Sequence, residues 1–286
     1  MPRIISLSSL GGEITAGRES GMKALLKMRG TGLPPVSTQW FEGAGDGATY
    51  RSARVLARVM DFSVKVYGAD REAVWKRMGA IGRIFAPSDE GVKVAVQLDG
   101  ETWHTFVHRT GGGDWDWSSD TDGQTFIITT ITVQAGDPFW TRNDMEARAI
   151  VPGGLGRGLI KATSLSKLEV STNTAFGTVE FINSGDVPAY GLWTIRAPFT
   201  GFEFISPDGA VLKWTGEKLT GYLTVDTELG VVVDEVGANE YTGLDAVPRF
   251  WAIPQGASSA SVVAYDAIAP NTQIEVIWNV KKWVMF

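Results

Sequence analysis

From Ser52 to Tyr67 the chain reads SARVLARVMDFSVKVY, and Leu56, Met60, Phe62, Val64 and Val66 share one parity. Strict alternation builds a strand with one apolar face, so the stretch predicts a single long strand. The period then changes. Asp70 suits a helix N-cap, Glu72 favours the positive end of a helix, and Val74, Met78, Ile81 and Phe85 recur at helical spacing until Pro87 stops the run. One helix is therefore expected, over about residues 70–86. Gly79 and Gly82 each cost it up to about 1 kcal/mol of intrinsic propensity, which points to close packing against a sheet or a neighbouring chain.

Alternation resumes at Lys93 to Leu98, Thr102 to Arg109 and Thr125 to Ala135, predicting three more strands. Before Tyr50, glycine and proline punctuate the chain at Gly11-Gly12, Gly30, Gly32, Pro34-Pro35, Gly43, Gly45 and Gly47, the pattern of loops and short strands. Pro152 to Gly158 (PGGLGRG) holds little that could pack. The expected division is a first domain over 1–152, a linker over 153–158 and a second domain over 159–286.

Past the linker, short apolar runs alternate with turn signals and no helix is indicated: Gly177 to Ile182, Leu192 to Arg196, Phe202 to Ile205 and Ala210 to Trp214. Tyr222, Leu223 and Val225 face Val231 to Val233 across Asp226-Thr-Glu-Leu-Gly230, a hairpin signature. Phe250 to Ile253 and Ser261 to Tyr265, joined by Pro254-Gln-Gly256, read as a second hairpin, and Gln273 to Val280 as a closing strand. Many short strands without a helix form the pattern of a β-sandwich, so the whole chain is expected to be mainly β.

Composition narrows what such a chain can do. Its 286 residues, 44% hydrophobic and 20% charged, are globular in character and suffice for two cores. No window approaches the roughly 20 apolar residues of a membrane span, and the opening MPRIISLSSLGG has too short an apolar run for a secretory signal. Cysteine is absent, which removes disulfides, thiolate metal sites and a cysteine nucleophile together. A net charge of −6 argues against specific nucleic-acid binding, since phosphate contacts need clustered Lys and Arg. The local exception, Arg51, Arg54 and Arg58, is expected on the surface or in an ion-paired interface.

Candidate chemistry is thin. His104 and His108 are four apart, but the β-branched and aromatic context Thr102-Trp-His-Thr-Phe-Val-His-Arg places them on a strand. There the rings would stand about 13 Å apart, too far to share a metal. Asp114, Asp116, Asp120 and Asp122 could suggest calcium, yet a loop beginning at Ser118 has Thr129 where a bidentate Glu is needed. The better reading is a solvated acidic loop. No G-x-S-x-G elbow occurs, and Gly111 to Gly113 lack the Lys-Ser/Thr of a phosphate loop. No catalytic, cofactor-binding or metal-binding residue is nominated. The 11 tryptophans offer a runner-up, a carbohydrate-binding sandwich whose Trp115, Trp117, Trp193, Trp214 and Trp251 are candidates to stack on a host glycan, Trp214 and Trp251 above all. A cell-surface hydrolase is a third and weaker reading.

The order of the pieces carries a resemblance. Arg51 and Arg54 precede Val64-Lys-Val-Tyr-Gly68 and the helix, strands lead to Asp137-Pro-Phe-Trp140, and a second region opens with N-x-G-x-x-P-A-Y at Asn183 to Tyr190. Then come G-x-L-x-V-D at Gly221 to Asp226 and F-W-A-I-P-x-G at Phe250 to Gly256. From about Arg51 onward this resembles the distal tail proteins of siphovirus-type, long-tailed bacteriophages. The resemblance implies a split-barrel-like first domain, a galectin-like second domain, and a non-enzymatic role. It implies a homohexameric ring at the tail tip, in the virion and assembled in the host cytoplasm, through which genome DNA passes. The implied partners are the tail tube protein, the hub or baseplate and the receptor-binding proteins. On that reading Arg51, Arg54, Arg58, Gly79 and Gly82 are interface candidates, and the acidic loop from Asp114 to Asp122 would face the channel and repel phosphate.

Overall fold

A computed structural model describes residues 4–15, 22–114, 125–150, 175–267 and 271–285. Two compact units divide the chain, Met1–Asn143 with Lys282–Phe286, and Asp144–Lys281. The passage 153–158, expected as the linker, lies outside the described residues.

The first unit contains β1 (Ile4–Ser9), β2 (Gly12–Thr15), β3 (Met22–Arg29), β4 (Val36–Glu42), β5 (Ala48–Val55), β6 (Arg58–Tyr67), α1 (Arg71–Ile84), β7 (Val92–Leu98), β8 (Glu101–Gly112), β9 (Phe126–Ala135) and β10 (Trp140–Arg142). One antiparallel sheet runs β2-β1-β7-β8-β9-β6-β3, with β10 pairing alongside β8. Alternation sets its faces. Met60, Phe62, Val64 and Val66 of β6, Val94 and Val96 of β7, Trp103 and Val107 of β8, and Ile131 and Val133 of β9 are buried. Against them α1 lays Val74, Met78, Ile81 and Ile84. Its start is fixed as expected, the Asp70 carboxylate accepting from the Ala73 amide at 2.8 Å.

The single strand expected from Ser52 to Tyr67 is instead two. At Leu56 the amide donates to the Pro35 carbonyl at 2.8 Å, closing the base of a separate β4–β5 hairpin, and the chain leaves that ribbon before entering the main sheet as β6.

Arg58 opens β6, and its parity is that of Met60 and Phe62, so the strand carries it inward. It is 1% exposed. Its guanidinium donates to four carbonyls: Pro138 at 2.7 Å from Nε, Gly30 at 2.8 Å and Gly32 from Nη1, and Trp283 at 2.6 Å from Nη2. Burial lowers its pKa from the ordinary arginine value, and the Asp137 carboxylate opposes that shift. The clamp thus joins the segment before β4, the Asp137-Pro-Phe-Trp140 segment and the chain's last residues. Phe139 adds an edge-on contact with Trp283 at 4.9 Å, and Trp140 is fully buried. Gly30, at φ +84, has no room for a Cβ, which would overlap the Val59 carbonyl. The close approach that lets its own carbonyl reach Arg58 therefore requires glycine.

The second unit contains β11 (Glu146–Ile150), β12 (Ala175–Asn183), β13 (Ala189–Arg196), β14 (Phe199–Ile205), β15 (Val211–Lys218), β16 (Tyr222–Asp226), β17 (Val231–Asp234), β18 (Ala252–Ile253), β19 (Gly256–Tyr265) and β20 (Gln273–Trp278). One sheet runs β11-β20-β13-β16-β17 with β18 beside β13, the other β12-β19-β14-β15. Both supply one core. Phe181, Phe202, Phe204 and Trp214 of the second sheet pack with Trp193, Leu223, Val225, Val276 and Trp278 of the first. The strand β11, counted above with the first domain, pairs with β20 and belongs to this unit.

The β16–β17 hairpin is as expected, with the Asp226 carboxylate accepting from the Glu228 and Leu229 amides at 2.9 Å. The second expected hairpin does not form. β18 pairs with β13 and β19 with β12 and β14, so Pro254 to Gly256 crosses from one sheet to the other. Alternation cannot separate these cases, since both put the same residues inside. Asn183 explains part of its motif: buried, it donates to the Val187 carbonyl at 2.9 Å and the Ile253 carbonyl at 3.3 Å, and accepts from the Gly185 amide at 3.0 Å. Trp214 pins the loop after β17, donating to the Glu240 carbonyl at 2.9 Å while Gly243 lies so close that a Cβ would overlap the indole.

Replacing Arg58 by Met takes the shared charged donor away from four carbonyls in a part-buried setting, and the expected loss in urea unfolding is about 2–3 kcal/mol. Arg58→Lys recovers less than half, because one ammonium cannot reproduce the planar fork. In the second unit Gly243→Ala should cost about 1–3 kcal/mol by forcing the Trp214 indole aside, visible as a lower urea midpoint.

Candidate functional site

The structure separates the residues that sequence reasoning grouped. Arg51 and Arg54 lie exposed on β5, whereas Arg58 is buried and fully engaged with carbonyls of its own unit. Arg58 is therefore a structural clamp and not a surface interface group. Gly79 and Gly82 lie on the exposed face of α1. A Cβ at Gly82 would meet nothing within 4 Å, and one at Gly79 only the Arg83 guanidinium at 3.6 Å. Packing against the chain's own sheet is thus not what these glycines serve.

The tryptophans proposed to hold a sugar are core residues. Trp214 is 3% and Trp251 7% exposed. Trp214 is stacked on Phe202 at 5.9 Å, Trp193 on Phe204 at 4.3 Å, and Trp251 meets Phe181 and Trp193 edge-on at 6.3 and 5.7 Å. With those faces taken by neighbours in the sandwich, Trp193, Trp214 and Trp251 offer no stacking platform. Trp115 and Trp117 lie outside the described residues, as do Asp116, Asp120 and Asp122. Asp114 is described, and its carbonyl accepts from the Thr129 hydroxyl at 2.8 Å.

His104 and His108 stand on one face of strand β8 as expected. His104 is half-buried and edge-on to Phe106 at 5.5 Å; burial lowers its pKa, the Lys93 charge lowers it further, and a hydrogen bond with Asn143 opposes both. Among the described residues no group of three or more His, Asp and Glu side chains could hold a metal. Other ionisable contacts act locally. Lys218 and Glu235 pair at 2.7 Å, which lowers the Glu235 pKa, and the Tyr265 hydroxyl donates to Glu203 at 2.7 Å, which raises that of Tyr265.

What sequence reasoning missed is the β4–β5 ribbon. It is a sheet of two strands only, and every residue from Val36 to Glu42 and from Ala48 to Arg54 is exposed. Pairing gives it two unlike faces. Val36 lies opposite Val55, Thr38 opposite Ala53 and Trp40 opposite Tyr50, forming an apolar stripe with Trp40 edge-on to Tyr50 at 5.4 Å. Ser37 with Arg54 and Gln39 with Ser52 make the other side polar up to Phe41, which lies exposed opposite Thr49, and there the Ser52 hydroxyl donates to Gln39 at 3.3 Å. Trp40 and Tyr50 are more than half exposed. A lone two-stranded hairpin is marginal in water, and an aromatic stripe left open on one needs a cover. The signal was in the sequence, as the β-branched and aromatic residues of Val36 to Phe41 and Thr49 to Val55 about a Gly-Ala-Gly-Asp-Gly turn, hidden by the glycine-rich setting.

No family model matches the chain. A curated protein, the 3,4-dehydroadipyl-CoA semialdehyde dehydrogenase of Aromatoleum evansii, is 25% identical over 202 residues, 64% of this chain. The chain spans only 36% of that protein's length. A dinucleotide-binding domain is built on a mostly parallel, doubly wound sheet, whereas the strand pairings among the described residues are antiparallel. Solved structures agree with the chain far more fully. A chain of the baseplate of phage p2, in its activated conformation with Sr, is 12% identical, with 97% of this chain and 98% of that chain covered and a TM-score of 0.50. The Dit protein of phage SPP1, described as a paradigm of the hub adsorption apparatus in phages infecting Gram-positive hosts, is 14% identical, with 96% and 98% covered and a TM-score of 0.65. Over nearly its whole length, the chain has the fold of the SPP1 Dit protein.

Proposed function

We propose that the protein is a non-enzymatic structural adaptor at the distal end of a phage tail. Six first units form a ring that joins the tail tube to the hub or baseplate, and the second, galectin-like units hold out surfaces for receptor-binding proteins. The observation that carries this reading is the end-to-end agreement in fold with SPP1 Dit, which includes both units and leaves no part of that chain unmatched beyond about 2%. The architecture suits the role. A mainly β protein without cysteine must gain rigidity from packing and assembly, and the second unit has an aromatic core closed on both sheets. The exposed ribbon of the first unit supports assembly from the opposite direction, since its apolar face finds no cover in its own sheet.

A ring is an assembly that identical chains can reach through one repeated contact. Contact between two different patches on identical chains is heterologous, and repeated heterologous contact closes into a ring when the rotation permits. A net charge of −6 suits a ring through which genome DNA passes without adhering. The reading places the protein in the virion, at the tail tip, after assembly in the host cytoplasm. The carbohydrate-binding reading loses its two foremost candidates, because Trp214 and Trp251 are core residues.

Size-exclusion chromatography with light scattering tests the proposal. Six chains of 30.9 kDa give about 185 kDa, and that mass at micromolar concentration is the expected result. A species of 30.9 kDa that persists at the highest soluble concentration would count decisively against a ring.

A further inference from the structure

We infer that the apolar face of the β4–β5 arm of one copy seats in a groove beside α1 of the next copy. This rests on the ring reading and adds to it the two surfaces that meet.

The groove lies where α1 ends. A recess of about 360 Å³ is lined by Met78, Ile81, Gly82, Phe85, Pro87 and Arg109 among others. A second recess of about 130 Å³ shares Phe85, Ala86, Pro87 and Arg109 with it and reaches Val92 and Val107. They share a wall, and the larger of the two is lined mainly by apolar groups. At about 30 Å³ per water, the larger part alone has room for several side-chain groups. Its floor comes from the same residues that bind α1 to the sheet, so it is preformed and rigid. Its approach is open at Gly82, where an added Cβ would meet nothing within 4 Å. Nothing among the described residues accounts for two glycines on the exposed side of the helix, each less helix-favouring than alanine by about 1 kcal/mol. An incoming strand passing close to the helix backbone would.

The arm has the complementary form. It is long and narrow, and its stripe of Val36, Trp40, Tyr50 and Val55 gives anchors in a row, with aromatic residues of the kind that dominate interface energetics. Charge agrees with the same docking. Glu42 continues the stripe beyond Trp40 and Asp46 lies in the turn, while the groove carries Arg109, whose guanidinium also donates to the Gly112 carbonyl at 3.1 Å. Arg83 lies over Gly79 on the approach. The acidic end of the arm would thus meet the basic side of the groove, which orients the contact more than it strengthens it. Both halves belong to a single chain and neither resembles itself. Arm against arm would stop at a dimer, whereas arm into groove propagates from copy to copy.

Because the chain has no native cysteine, introduced thiols report the contact without background. The full chain carrying Tyr50→Cys and Gly82→Cys is oxidised under mild conditions and run on a non-reducing denaturing gel. The expected result is a ladder rising from dimer to closed multimer, with each single variant giving none; Thr38→Cys with Ala86→Cys is a second pair in case Gly82→Cys itself blocks the groove. Trp40→Ser should weaken assembly about tenfold or more, with an unchanged unfolding midpoint for the monomer, since Trp40 is exposed there. A multimer by light scattering that yields no ladder from either pair, and that tolerates Trp40→Ser, overturns the arm-in-groove contact and leaves the ring standing. A cross-link confined to the monomer band overturns it too, by showing the arm folded into its own groove. A strict monomer without cross-links defeats the ring as well.

Discussion

The buried Arg58 guanidinium is the interaction on which the first unit's geometry turns. Three stretches distant in sequence offer it carbonyls: Gly30 and Gly32 before the arm, Pro138 after the last long strand, and Trp283 close to the chain's end. A guanidinium can serve them together because its donors lie in one plane and point apart. Removing it would take from those carbonyls the one donor they share, so the cost is borne locally by the segments that fix where the arm begins. Gly32 precedes β4 by a few residues and Arg58 itself follows β5, with the Leu56 amide and Pro35 carbonyl closing the ribbon between them. A ribbon with no sheet to lean on is thereby held at its root.

That arrangement links stability to function. The arm is exposed on both faces, and the residues that would give it binding strength, Trp40 and Tyr50, contribute little to the fold of the free chain. The second unit shows the opposite economy. Its tryptophans are committed to the core, where Trp193 stacks on Phe204 and Trp214 on Phe202, and Trp214 also holds the loop after β17. The arm of the first unit keeps aromatic surface open, whereas the second unit encloses its tryptophans. Such a division suits the proposed adaptor, with one part that assembles and another that stands as a rigid mount.

Much of the fold could be read from periodicity. The helix with its Asp70 cap, the strands β7 to β9, and the β16–β17 hairpin with its Asp226 turn follow from local patterns, because cap and turn chemistry act within a few residues. Long-range choices were less legible. The pairing of β18 with β13 depends on which sheet receives it, and alternation is blind to that. The site was harder still. Arg58 shares the parity of Met60 and Phe62, so the pattern pointed inward, but the expectation for arginine pointed outward; four carbonyls from remote segments decided the matter. Several motif residues, Asn183, Asp226 and Pro138 among them, prove to be devices that hold turns and clamps. Such devices tie a sequence pattern to the fold and not to chemistry.

The account depends most on one claim, that the arm of this chain is covered by another copy. Amide hydrogen exchange measured at two protein concentrations addresses it directly, because backbone protection falls with local opening and rises with burial in an interface. The account predicts that amides of β4 and β5 around Trp40 and Tyr50 exchange quickly in dilute protein and become protected at assembling concentrations, while the core of the second unit does not change. Rapid exchange of the arm at every concentration would contradict it.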